Sequence, residues 1–271
     1  RRLWSSMMHL SDLPTIPIEL RELFRKGKLS KSTAGMAPGH AQANLVILPS
    51  DQAFDFLLFC QRNPKACPLI EVVEPLSTEP RQTAPGADLR TDLPKYRVYE
   101  YGKLVAEPAE ISKFWRDDMV SFLLGCSFTF ESALVRAGIH LPHFDKGSNV
   151  SMFVTNIQTR SAGIFSGPMV VSMRSIPHKQ VVKAVQISSR FPAVHGAPIH
   201  IGNPSEIGIK DITKPDLGDP IEIRTGEVPM FWACGVTPQA VAMSSKTPFM
   251  ITHSPGHMFI TDKQDEDFSI L

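Results

Sequence analysis

Short apolar runs recur along this chain, and most stop at Gly or Pro with a polar or reactive residue beside the stop. Residues 169–173 run into Arg174, residues 228–233 into Cys234-Gly235, and residues 249–252 into His253-Ser254-Pro255-Gly256-His257. Apolar runs of this length read as buried strands, and the punctuation after them reads as strand-end loops where chemistry is usually presented. On the same reading residues 43–48, 151–157, 169–173, 198–202, 221–223, 228–233, 249–252 and 258–261 are strands, and 96–105 form a hairpin around Gly102. Helices are predicted at 51–62, with Phe54, Leu57 and Leu58 on one face, at 110–124, from about 129 to Gly138, and at 179–187. The stretch 74–94, rich in Pro, Thr and Asp, reads as an exposed connection or a domain crossing.

Strands interleaved with helices predict an α/β protein: a mixed sheet with flanking helices plus a smaller α+β subdomain. Residues 110–195 are expected to form that subdomain, inserted into a discontinuous main domain of residues 1–109 and 196–271.

Composition narrows the function. The 271 residues are 42% hydrophobic and carry 28 Lys and Arg against 27 Asp and Glu, a formal charge of +1. That balance gives no field for nucleic acid or an anionic membrane, and no run approaches the ~20 apolar residues of a membrane span. The basic stretch from Arg21 to Lys31 reads as the solvated face of a helix whose Leu20, Leu23 and Phe24 lie opposite. The cysteines Cys60, Cys67, Cys126 and Cys234 form no zinc spacing and suit a reducing compartment, so a cytoplasmic protein acting on a small molecule is expected. Self-association stays open.

Arg174 and Arg190 are suited to grip a carboxylate, since a guanidinium binds it through two parallel hydrogen bonds. His195 and His200 could act as bases, and Glu227, at the mouth of an apolar run, could exchange protons. Asn156 and Thr237 are neutral groups able to orient a substrate. His253 and His257 flank a forced turn and could share a divalent metal with an acidic partner. Cys126 and Cys234 read as inert buried thiols rather than nucleophiles. Each of these residues also has a structural reading.

Residues 117–128 (Asp-Asp-Met-Val-Ser-Phe-Leu-Leu-Gly-Cys-Ser-Phe), the His-Gly-Ala-Pro-Ile-His-Ile-Gly run at 195–202, Gly-Glu-Val-Pro-Met-Phe-Trp-Ala-Cys-Gly-Val-Thr-Pro-Gln at 226–239 and Thr-His-Ser-Pro-Gly-His-Met at 252–258 together resemble the bacterial putative hydro-lyase family. That family includes the domain of mitochondrial D-glutamate cyclase. The resemblance runs from about Leu45 to Asp262. It implies an α/β fold peculiar to the family and a lyase that eliminates water, in the cyclase branch by closing D-glutamate to 5-oxo-D-proline. The mitochondrial relative matches Arg174, His200 and Glu227 but not Cys234-Gly235 or the two-histidine turn, so the resemblance favours those three as catalytic. Arg190, Asn156, His195 and Thr237 would then bind a carboxylated or amino-acid substrate. No cofactor is required on this reading, with a divalent metal at His253 and His257, or a non-catalytic metabolite-binding protein, as alternatives.

Overall fold

A computed structural model describes residues 10–143 and 148–270. Its larger sheet has seven strands: β1 (His40–Pro49), β2 (Leu69–Val73), β3 (Tyr96–Glu100), β4 (Lys103–Ala106), β5 (Met119–Gly125), β10 (Phe249–His253) and β11 (Phe259–Gln264). They run in the order β2-β5-β1-β10-β3-β4, and β11 also pairs with β1. The smaller sheet joins β6 (Ser151–Gln158), β7 (Pro168–Pro177), β9 (Glu227–Ala233) and β8 (His200–Ile201) in that spatial order. The helices are α1 (Pro17–Arg25), α2 (Ser50–Arg62), α3 (Phe128–Arg136), α4 (Val181–Ser189) and α5 (Thr237–Ser244).

The expected α/β class holds, with helices packed on the sheets. The pairings expected as mixed are antiparallel between every pair of these strands.

The region around β5 corrects the predicted helix at 110–124. Every residue of Met119–Gly125 is buried, and the strand lies between β1 and β2. A strand covered on both faces needs no alternation of apolar and polar residues, so its run, continued back through Trp115, Phe114 and Ile111, imitates a helical stripe. In α2 the buried side chains are Phe56, Phe59 and Cys60, while Phe54 points to solvent at 73% exposure. The expected face was therefore wrong although the helix is present. The stretch 74–94 is irregular as expected and only partly exposed: Leu76 is 80% exposed, while Ala84, Ala87, Leu89 and Leu93 are buried against Leu45, Leu123 and Ile251 of the larger sheet. The expected strand at 198–202 shrinks to two residues, and Ile221 is buried without joining a strand.

Two cores flank the seam between the sheets. On one face of the larger sheet Val46, Phe122 and Met250 meet Phe56 and Phe59 of α2, Val241 and Ala242 of α5, and Ala233 at the end of β9. On one face of the smaller sheet Met230 and Trp232 meet Phe130 and Leu134 of α3 and Ala184 of α4. Helix α3 thus reaches from the end of β5 across to β7 and β9. Its N-terminal turn lies where the two sheets meet.

Candidate active site

Glycine sets the approach at that seam. A side-chain carbon at Gly235, just after β9, would overlap the amide of Asn44 on β1, and one at Gly125 would overlap the Ala193 carbonyl oxygen. The Asn44 amide in turn donates to the Gly125 carbonyl at 2.7 Å. Without a side chain at Gly235 the end of β9 closes on β1, without one at Gly125 the end of β5 closes on the Ala193 and Val194 backbone, and Cys126 and Cys234 enter one apolar cluster with Phe128 and Val170.

Against this cluster stands a charged centre. Arg174 of β7 donates from Nε to Glu131 Oε1 at 2.7 Å, from Nη1 to Ser172 Oγ at 2.8 Å and from Nη2 to Ser127 Oγ at 2.8 Å. Its Nη2 also lies 2.5 Å from Glu131 Oε1, and His143 Nε2 lies 3.0 Å from the same oxygen. The side chains of Arg174, Glu131 and His143 are completely enclosed. The rings of Phe130 and Trp232 lie 5.4 and 5.3 Å from the guanidinium carbon, a cation–π arrangement on both.

Burial alone would raise the Glu131 carboxyl, but the adjacent Arg174 and His143 outweigh it and hold its pKa below the ordinary value. Glu131 is therefore ionised and aims charge at both partners. Its second oxygen, Oε2, is buried without a hydrogen-bond donor, an unusual state for an interior carboxylate. Nη1 keeps one N–H beyond the one given to Ser172, because each terminal guanidinium nitrogen carries two. Burial pushes both the Cys126 and the Cys234 thiol up. The thiol, not the thiolate, is thus the resting form, and neither cysteine is primed as a nucleophile.

The residues singled out from sequence do not share this centre, apart from Arg174. His200 pairs with Phe231 and Arg174 with Met230, the residue next to it, so their side chains leave opposite faces of the smaller sheet. Glu227, four residues before Phe231, shares the His200 face and accepts from Ser175 Oγ at 2.7 Å. His200 bonds the Asn203 carbonyl at 2.7 Å. Asn156 stands near the Pro168 end of β7 and Glu227 pairs with Pro177 at its other end. Asn156, Arg174, His200 and Glu227, expected to serve one substrate, therefore do not converge: strand alternation and strand length keep them apart.

The remaining candidates fill backbone roles. Thr237, the first residue of α5, ties the helix to its surroundings by donating to the Cys234 carbonyl at 2.7 Å and accepting from Val170 N. Arg190 lies at the end of α4 and reaches the Ile270 carbonyl at 3.4 Å. His195 is enclosed with its Nδ1 2.7 Å from the Lys65 carbonyl, and burial draws its pKa down to about 4. His253 packs against the Leu45 backbone and is likewise drawn down to about 4 by burial. His257 bonds the Pro255 carbonyl at 2.9 Å. Among the described residues no group of three or more His, Cys, Asp or Glu is arranged to hold a metal ion.

Glu131 and His143 were missed from sequence. The available signal was a carboxylate on the apolar stripe of α3: Glu131 is flanked on its own face by Phe130 and Leu134, where a solvated Glu would not be expected.

A family model described as D-glutamate cyclase matches residues 120–262. That span holds every member of the charged centre. The chain belongs to the D-glutamate cyclase family. Full-length bacterial relatives agree: a protein of Geobacillus kaustophilus named as a putative hydro-lyase is 63% identical over 93% of this chain and 96% of its own length. The putative hydro-lyase YcsI of Bacillus subtilis is 59% identical over 94% of this chain and 99% of its own length. One from Stutzerimonas stutzeri is 58% identical over 94% and 96%. The family places the chain among lyases. No described helix is long and apolar enough to cross a membrane.

Proposed function

We propose that the chain is a hydro-lyase acting on a small carboxylated metabolite, most concretely one that cyclises D-glutamate to 5-oxo-D-proline with loss of water. The supporting observation is the enclosed Arg174–Glu131–His143 centre inside the family-matched span. Ion pairs buried this completely are poor stabilisers, because desolvation offsets most of the attraction, so a chemical role accounts for the centre better than a structural one.

The reaction divides naturally among these groups. The α-ammonium must lose protons, its nitrogen must attack the side-chain carboxyl carbon, and one carboxyl oxygen must depart as water carrying two protons that began on the nitrogen. Arg174, through its remaining Nη1 N–H, holds the reacting carboxyl oxygen and disperses charge on it. His143, held by Glu131 Oε1, takes two protons from nitrogen in turn, one before attack and one from the tetrahedral adduct, and passes each to the departing oxygen. Glu131 keeps the ring oriented. This reading retains Arg174 in its expected role and moves the acid–base work from His200 and Glu227 to His143 and Glu131.

Proton NMR of the enzyme incubated with a mixture of D- and L-amino acids and hydroxy acids tests the substrate. Loss of D-glutamate signals with growth of 5-oxoproline signals supports the proposal. Turnover of a hydroxy acid with D-glutamate untouched would replace the substrate, and no change in any signal with folded protein would remove the activity.

A further inference from the structure

A second site lies along α3, in a cavity whose lining includes none of Arg174, Glu131 and His143. A cavity of about 580 Å3 opens between Phe128, Ser132 and Val135 of that helix and the loop that leads into β1. The volume suits one small ligand. Backbone strain shapes the loop: Gly35, Ala37 and Gly39 all take left-handed conformations, with φ of 76°, 45° and 86°. For Ala37 that conformation is costly and marks a shape held by its surroundings.

Around this cavity lie buried polar groups with nothing to bond. Gln42 lines it and is 3% exposed. Both its amide N–H groups are spent, on the Thr33 and Met36 carbonyls at 2.9 and 3.2 Å, which fixes the amide so that Oε1 is the free atom; Oε1 has no donor. His40 also lines the cavity. Its Nε2 lies 3.1 Å from the Gln264 amide nitrogen, and Gln264 Oε1 is already engaged as a helix cap, so that nitrogen donates. Nε2 of His40 must then accept, leaving Nδ1 as a buried N–H with no acceptor. Behind the cavity-lining Gly39 and Ser132 sits Asp265, 1% exposed, its backbone N–H on the Gly39 carbonyl at 2.9 Å. Both its carboxylate oxygens lack a donor in hydrogen-bonding geometry, although Ser132 and Arg136 act on it.

Buried acceptors and donors left open together around one cavity are completed by water, an ion or a ligand, and this cavity has room for a ligand. Gln42 Oε1, on the wall, matches an ammonium group, and the Asp265 carboxylate behind Gly39 and Ser132 adds negative charge to that side. The His40 N–H matches a carboxylate, and so do the remaining N–H groups of Arg136 at the wall, whose Nη2 already donates to Glu266 Oε1 at 3.0 Å. Met36, Val135, Ile139 and Leu141 supply an apolar chamber with room for a hydrocarbon side chain. We propose that this cavity binds a free α-amino acid with an apolar side chain, at a site separate from the Arg174 centre. Gln42 and Asp265 lie outside the span of the family match, so the proposal does not rest on the lyase reading.

Titration calorimetry on the whole chain tests it without any turnover. Leucine, of either hand, should bind saturably, while 4-methylpentanoate, which lacks the amine, and 3-methylbutylamine, which lacks the carboxylate, should each bind roughly 10- to 100-fold more weakly, the loss expected for a bond to a charged group. Asp265→Asn should weaken leucine by a similar factor. Absence of saturable binding by leucine, methionine and phenylalanine of both hands would overturn the proposal. So would analogues that bind as tightly as the amino acid, or leucine affinity unchanged in Asp265→Asn. The analogue series uses the unaltered protein, so misfolding of the variant leaves the test intact.

Discussion

An interior carboxylate facing one guanidinium and one imidazole cannot lose its charge without stranding both partners. Replacing Glu131 by Gln should therefore destabilise the protein by about 3–5 kcal/mol, the cost of breaking a buried pair, measurable by urea unfolding. Asp265 is the opposite case, with burial pushing its carboxyl up to about 6 from an ordinary 3.8. Its native form holds a proton more tightly than the unfolded chain does, so its share of stability falls as pH rises from about 4 to 6. Asp265→Asn should thus stabilise the protein at pH 7 by roughly 1–3 kcal/mol, with the gain vanishing below about pH 4; an equal gain at both pH values would contradict the assignment. His195 and His253, drawn down to about 4 by burial, act the other way. The unfolded chain takes up their protons near the ordinary 6.5 and the native chain does not, so stability is lost as pH falls from 6.5 towards 4. Two such histidines, each worth on the order of 3 kcal/mol, outweigh Asp265. Calorimetry should show Tm falling across that window, and a flat or rising Tm would refute the burial argument.

At the scale of elements, the approach of β9 to β1 depends on the side chain missing at Gly235, and that of β5 to residues 192–194 on the one missing at Gly125. Gly235→Ala should destabilise by more than about 2 kcal/mol through overlap with the Asn44 amide. Because the obstacle is a side chain rather than backbone, adding Asn44→Ala should recover part of that loss; a double variant no better than the single one would place the strain elsewhere. The same strands explain what was legible in the sequence. β1, β3, β4, β7, β9 and β10 were readable because apolar runs end at turn residues, and α2, α3 and α4 because their periodicity is clear. β5 was misread because burial on both faces erases alternation. β2 was missed because its burial alternates only partly, and α5 because it begins within the Gly235-Val236-Thr237-Pro238 run, which looks like a loop. Arg174 was found because it ends an apolar run. Its partners were not, because Glu131 and His143 reach it from 43 and 31 positions away in sequence, and no local pattern records such a contact.

For the whole molecule, the near-neutral charge expected from composition fits a centre that neutralises its own charges internally instead of projecting a field. Arg21 shows the same habit at the opposite end of the chain. The basic N-terminal face expected to be solvated buries it, with Nη1 2.8 Å from Asp262 Oδ1 and 2.9 Å from the Ile260 carbonyl. The central claim is that acid–base work belongs to the Arg174–Glu131–His143 centre and not to the opposite face of the smaller sheet. It is tested most directly by initial rates of 5-oxoproline formation, per folded protein, in Glu131→Gln and Glu227→Gln on the same D-glutamate. The account predicts a loss of roughly 10²- to 10⁴-fold for Glu131→Gln and a change within about threefold for Glu227→Gln. Near-normal turnover by Glu131→Gln with collapse in Glu227→Gln would contradict it and return the chemistry to the His200 face.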